Sequence, residues 1–307
     1  EGSGGGGGDD QDDDGALLLW EEVKAFVGPE SAENLPTDMR AMAVCEGGLR
    51  KSVVIRHQRL QQVFVVGGLA ALFPSLRDRA LADNAFFLKL LVTLSVESGL
   101  TFLAEAQKGA AACVDSLEFV ASDFLVGMIL DCFIVTILAP ACVLGTSTKA
   151  IASAAKATGQ LATLQRALAS LPASAFAVSQ PGQTFTVAQR AAAFIVRGAE
   201  YSALGAVCGY LGQSAANAAY KLKHDSNAEG LEPPPSKKTA LLWARYTGLS
   251  ANARFQAVVG LERLLESSLL VQQRPWVAFV GILGIRMLNS VVGGEHFVQM
   301  ARSANRQ

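Results

Sequence analysis

Three observations predict an all-α polytopic membrane protein. First, apolar stretches recur along the chain, separated by Pro, Gly and charge, and several reach the roughly 20 helical residues that a hydrocarbon core demands. Second, 50% of the residues are hydrophobic and only 17% are charged, where a soluble domain carries about 25% charged residues; mean hydropathy is +0.30. Third, the few polar residues inside the apolar stretches fall at helical spacing. The expectation is four or five transmembrane helices, no β-sheet and a disordered acidic N-terminal tail. A net charge of −1 supplies no basic field for nucleic acid, and no nucleic-acid-binding motif is present.

Residues 1–15, EGSGGGGGDDQDDDG, are too polar to bury a core and read as a solvated tail. Residues 16–79 read as an N-terminal helical and interfacial region. Within it ALLLWEEVKAF (16–26) has the spacing of an amphipathic helix stopped by Gly28-Pro29, and 39–62 reads as a basic helix. VFVVGGLAALFP (63–74) is apolar but short, which suits an interfacial, re-entrant or buried segment better than a span.

Residues 80–307 read as the transmembrane domain. Its first span is about 85–104, where Lys89, Thr93, Glu97, Thr101 and Glu105 recur every four residues as a polar stripe. The second, Leu117 to Leu144, organises the chain: it is almost wholly apolar yet holds Asp123 and Asp131 with Gly127 midway. Their i, i+4, i+8 spacing is expected to lay both acids on one loose stripe looking the same way. An acid facing lipid near mid-bilayer costs roughly 2.5 kcal/mol or more, so that stripe must face other helices or water. From Cys132 to Ala199 there is no acid at all. That segment contains an Ala-rich helical part (149–170) and a Pro/Gly-broken loop (171–185), and its positive charge is expected to keep the 145–190 portion on the side where insertion begins. A third span covers 191–219, a Pro-rich polar linker covers 221–238, residues 239–260 are a weaker span interrupted by Arg245, Asn252 and Arg254, and a last span covers about 275–298 with Arg286 and Asn289 in its middle.

The third span carries a packing signal. Gly198, Ser202, Gly205, Gly209, Gly212, Ala216 and Ala219 alternate four and three residues apart, a small-residue seam against which another helix can back closely. Arg197, Glu200, Gln213 and Asn217 put polar groups beside it.

The five cysteines stand singly and the three histidines are scattered, so neither a metal site nor a cofactor is expected. There is no Gly-rich phosphate loop, H-E-x-x-H or nucleophile elbow, which speaks against an enzyme. Ionisable residues inside spans usually meet partners or a water-filled path. Glu97, Asp123, Asp131, Arg197, Glu200, Arg286 and Asn289 are therefore the candidate substrate-binding residues, the carboxylates for a cationic group and an arginine for a carboxylate. The competing reading is that these acids and arginines pair with one another and lock the bundle.

Four stretches together, ASDFLVGMILDCFIVTILAP (121–140), LPASAFAVSQPGQTFTVAQR (171–190), LSANARFQAVVGLERLLE (249–266) and RMLNSVVGGEHFVQMAR (286–302), resemble the RETICULATA-related family of plant and algal plastid proteins, in order over roughly 80–302. That resemblance implies import into plastids, a multi-pass place in the chloroplast envelope, the inner membrane in particular, and transport of metabolites such as basic amino acids. It transfers no binding residue. The expected partners are the lipid bilayer, further copies or membrane-complex subunits, and a small-molecule metabolite. A structural or assembly subunit of a larger plastid membrane complex is the alternative function, and a membrane-bound enzyme a third.

Overall fold

The computed structural model describes residues 16–44, 48–107, 114, 116–142, 144, 167–168, 170–178, 184–223 and 233–304. The acidic tail, nearly all of the Ala-rich 149–170 part and the middle of the 221–238 linker lie outside the described residues. The chain divides into two compact units, Glu1–Phe87 with Pro140–Ser170, and Leu88–Ala139 with Leu171–Gln307.

In the first unit a short ladder pairs β1 (Leu17–Leu18) antiparallel with β2 (Leu49–Arg50), Leu17 opposite Arg50. An all-helical chain was expected, so this is a small departure: Arg50 N–H also donates to Leu144 O at 3.0 Å, and the ladder ties three distant pieces of backbone together. Between the strands run α1 (Trp20–Val27), α2 (Pro29–Glu33) and α3 (Thr37–Val44). Helix α1 stops at Gly28, whose φ of 85° is a conformation that favours glycine, and Pro29 opens α2 where its missing N–H costs nothing. Then follow α4 (Lys51–Gln61), α5 (Phe64–Leu72) and α6 (Pro74–Ala82). The core gathers Val23, Met39, Leu49, Val53, Val54 and Leu81, with Cys142 and Leu144 packed onto it. Beside it sits a buried guanidinium: Arg77 donates to both carboxylate oxygens of Asp38 (3.0 and 2.5 Å) and to Asp78 (2.9 and 2.7 Å).

Among the described residues, four helices are long and apolar enough to cross a membrane: α7 (Phe86–Ala106), α8 (Leu117–Leu138), α9 (Val187–Lys223) and α13, whose apolar part is Trp276–Ala304. Sequence periodicity places all four. The second span is shorter than the stretch read from sequence, because Pro140 follows it and cannot continue a helix. At about 1.5 Å per residue, α9 is longer than a hydrocarbon core is thick. The weaker fifth stretch is one continuous helical run: α10 (Ser236–Arg245), a π-helical turn (Tyr246–Ala251) and α11 (Asn252–Glu266). Short α12 (Leu269–Gln273) leads to α13 (Pro275–Ala304).

The solvent logic of the second unit is inverted. Leu91, Phe102, Leu125, Ile195, Leu211 and Leu288 are exposed. Lys89, Thr93, Gln213, Glu262, Arg286, Asn289 and Ser290 are buried. Water would select the opposite distribution; a hydrocarbon surround selects this one.

Candidate functional site

The seam on α9 positions everything else. Gly198 meets Asn252 and Gly248, Gly205 meets Thr247 and Trp243, and Gly209 meets the Trp243 ring, all on the α10–π–α11 run. A Cβ on Gly205 would stand 2.6 Å from Trp243 O, and one on Gly209 2.6 Å from Trp243 Cδ1, closer than real side chains approach. Ser202 Oγ donates to Ala244 O at 3.0 Å, while Gly212 meets Val126 and Ser122 of α8. The seam thus packs two partners, and it ends at buried Ala216; Ala219 is exposed. Polar groups close the interface. Thr247 Oγ donates to Tyr201 O (2.6 Å) and Trp243 O (2.8 Å), and Asn252 Nδ2 donates to Phe194 O at 3.0 Å.

Two ionic clusters lie within this frame. In the first, Arg286 of α13 grips Glu262 of α11 with two bonds, Nε to Oε1 at 2.6 Å and Nη2 to Oε2 at 3.0 Å. Its Nη1 donates to Thr93 Oγ. Lys89 of α7 lies 3.9 Å from Glu262 and 2.6 Å from Glu266. Two cations therefore meet two carboxylates, and the charge closes to zero.

The second cluster does not close. Arg254 of α11 donates to Asn289 O (2.8 Å), Asn289 Oδ1 (2.9 Å), Tyr246 Oη (2.8 Å) and Ser250 Oγ (3.2 Å). All of these acceptors are neutral. The guanidinium lies against Gly293, where a Cβ would stand 2.6 Å from Nη1, so a side chain there would have to displace it. Glu97 of α7 lies within electrostatic reach of Arg254 and is directed at Ser290, whose buried hydroxyl lacks a well-formed hydrogen bond. Asp131 of α8 feels Glu97, Arg254 and Arg286. Arg286 is already held by Glu262, so Glu97 and Asp131 share one guanidinium that carries no direct ion pair among the described residues.

Of the residues singled out from sequence, Glu97, Asp131, Arg286 and Asn289 come together here. Asp123 is exposed on α8 and stands apart from Asp131: eight residues turn a helix about 80° past alignment. Arg197 and Glu200 are also elsewhere. They pair with each other at 2.5 Å, and Arg197 Nε donates to Ala173 O at 3.0 Å. With Arg190, which donates to Ala175 O and Ala177 O at 2.8 Å, and Arg263, which donates to Phe176 O, Arg197 pins the loop at 171–178. Sequence reasoning did not single out Glu262, Ser290 or Tyr246. Glu262 had a readable signal: it follows Phe255 and Val258 at core spacing on one helix face, and all three are buried.

Fold and cluster together define a polytopic α-helical membrane protein with charged groups turned inward. A family model, RETICULATA-like (Protein RETICULATA-related), matches residues 78–261. The chain belongs to that family. Protein RETICULATA-RELATED 1, chloroplastic, of Arabidopsis thaliana is 37% identical over 87% of this chain and 61% of its own length. Protein RETICULATA, chloroplastic, from the same plant is 32% identical over 93% of this chain and 65% of its own. Protein RETICULATA-RELATED 4, chloroplastic, is 30% identical over 88% of this chain and 68% of its own. The chain thus spans somewhat under two thirds of the first two relatives, both chloroplast proteins by name. No solved structure matches.

Proposed function

We propose that this is an integral protein of the chloroplast envelope, in the inner membrane, and that it carries a small cationic metabolite of the basic amino-acid class. The observation that carries this reading is the unclosed second cluster. Glu97 and Asp131, on two different spans, face a single guanidinium whose hydrogen bonds go to neutral acceptors. With both carboxylates ionised, one negative charge would be left over inside the bundle, and charges inside a membrane are expensive unless matched. An ammonium or guanidinium group of a solute would match it, with Ser290 Oγ as a further acceptor. The relatives' chloroplast names support the organelle.

Uptake of labelled lysine and arginine into vesicles holding the purified protein tests the proposal, with glutamate as the reference solute. Uptake of the basic amino acids that is lost in Glu97→Gln and in Asp131→Asn is the expected result. A protein that takes up none of them, or that does so equally well in both variants, overturns it.

A second reading has its own support. The Lys89, Glu262, Glu266 and Arg286 cluster compensates itself completely, as a structural lock would, and a rigid bundle suits an assembly subunit. Co-purification of stoichiometric envelope partners, without uptake, would favour it.

A further inference from the structure

Among the described residues of the first unit, helix α5 is a strongly apolar element that the core does not absorb. No charged residue lies between Val63 and Pro74. Only Gly67 and Ala70 of the helix are buried, and Gly67 lies so close to Gln61 that a Cβ would stand 2.9 Å from its Oε1. That side is therefore seated on the end of α4. The other side stands open: Phe64 is 92% exposed, Val65 67%, Leu72 73% and Phe73 53%. Phe64, Gly68 and Leu72 form one i, i+4 row, and Val65, Leu69 and Phe73 the row beside it, so the open side is one continuous apolar face.

Length and neighbours say what covers it. Nine residues are far too few to cross a bilayer and suffice to lie in its surface. Helix α4, which leads into it, carries Lys51, Arg56 and Arg59 and no acid, the polarity that anionic headgroups attract.

Chain continuity supplies the reach. The first span starts at Phe86, shortly after α6, and the second ends at Leu138. Two consecutive crossings return the chain to the membrane side on which it started. Immediately after the second crossing, Cys142 N–H donates to Asp78 O in the first unit at 2.9 Å. The first unit is thus continuous in the chain with the ends of both spans, at Phe86 and Leu138.

We infer that α5 is an interfacial membrane anchor, its Phe64, Val65, Leu69, Leu72 and Phe73 face sunk into the leaflet from which the first span departs. The inference rests on the membrane placement proposed above. The test uses the full chain in vesicles of phosphatidylcholine and phosphatidylglycerol. A photoreactive p-benzoylphenylalanine replaces Phe64 or Leu72 in separate variants, Ile195 on the outer face of α9 as the lipid-facing reference, and Glu33 as the water-facing one. All four side chains are exposed, and a melting temperature equal to wild type verifies each variant's fold. The expected result is lipid adducts at Phe64 and Leu72 in yields comparable to Ile195, with loss of adduct at Glu33. Lipid adducts at Ile195 but none at Phe64 and Leu72 would overturn the anchor and leave the membrane placement standing. So would cross-links from Phe64 and Leu72 to a second protein chain. Equal adducts at Glu33 would overturn it as unspecific, and adducts at none of the four would sink both readings.

Discussion

Arg286 and Arg254 lie on neighbouring helices of one bundle and are treated in opposite ways. Arg286 is 4% exposed and holds a carboxylate with two direct bonds, while Lys89 and Glu266 complete the balance. Arg254 spends its donors on a backbone carbonyl, an amide, a phenol and a hydroxyl, although two carboxylates lie within electrostatic reach. A buried guanidinium satisfied by its own acid is finished; one satisfied by neutral dipoles keeps its field available. The difference separates a group that holds helices together from one that can answer a ligand.

The contrast breaks most severely at Glu262. Glu262→Ala would strand Arg286, while Lys89 keeps Glu266, and removing one partner of a buried pair costs roughly 3–5 kcal/mol. The protein is expected to fail to accumulate, or to melt far below wild type in detergent; an unchanged melting temperature would show that Arg286 is not locked. Next comes the frame. Gly209→Leu drives a side chain into Trp243 and should cost about 1–3 kcal/mol, the usual penalty of overpacking, read as a lower melting temperature without a specific loss of ligand response.

At the open cluster the pattern reverses. Asp131→Asn keeps volume and hydrogen bonding while removing charge, and Asp131 makes no direct ion pair among the described residues. Its melting temperature should stay near wild type while uptake is lost. A collapse in stability comparable to Glu262→Ala would reclassify Asp131 as part of a lock.

The smallest effect is expected in the first unit, where Arg77 provides a third case. Burial raises the Asp38 carboxyl, but the hydrogen bond and charge of Arg77 outweigh it and hold it below its ordinary value of 3.8. Burial, with the Arg77 charge adding to it, pushes His57 below 6.5. For His57 the unfolded chain takes up a proton before the folded one, so stability is full above pH 6.5 and falls as the pH drops toward the lowered value. For Asp38 the contribution is present above 3.8 and is lost as pH falls through the folded value. Hydrogen-exchange protection of the first unit, relative to intrinsic exchange at each pH, should therefore fall below pH 6.5 and again below 3.8. His57→Gln should remove the upper step and leave the lower one.

Much of this was legible before any coordinates. The Lys89, Thr93 and Glu97 stripe does face the bundle interior, because a four-residue repeat on an apolar helix leaves polar groups only one side to use. The seam from Gly198 to Gly212 was legible for the same reason: close approach needs small residues at fixed period. What stayed hidden were the pairings. Thr93 and Arg286 are 193 residues apart, and nothing in either helix names the other. Asp131 could be suspected of meeting Arg197 or Arg286, but Arg197 belongs to the 171–178 loop and Arg286 to Glu262. The Arg254 environment was hidden too, since it depends on Gly293 and Asn289 arriving from a different span.

The π-helical turn at Tyr246–Ala251 sets the angular phase between the two halves of its helix. Ahead of it Trp243, and within it Thr247, address the α9 seam; beyond it Arg254 addresses α13. A π turn holds about one residue more than an α turn, so it offsets everything downstream by about 100°. Leu249, 67% exposed, could be exchanged for many residues at little cost. Deleting it would repair the helix to plain α and rotate Asn252, Arg254 and Glu262 away from all their partners at once. At this point the residue count of the segment, more than the identity of its residues, keeps the charged clusters assembled.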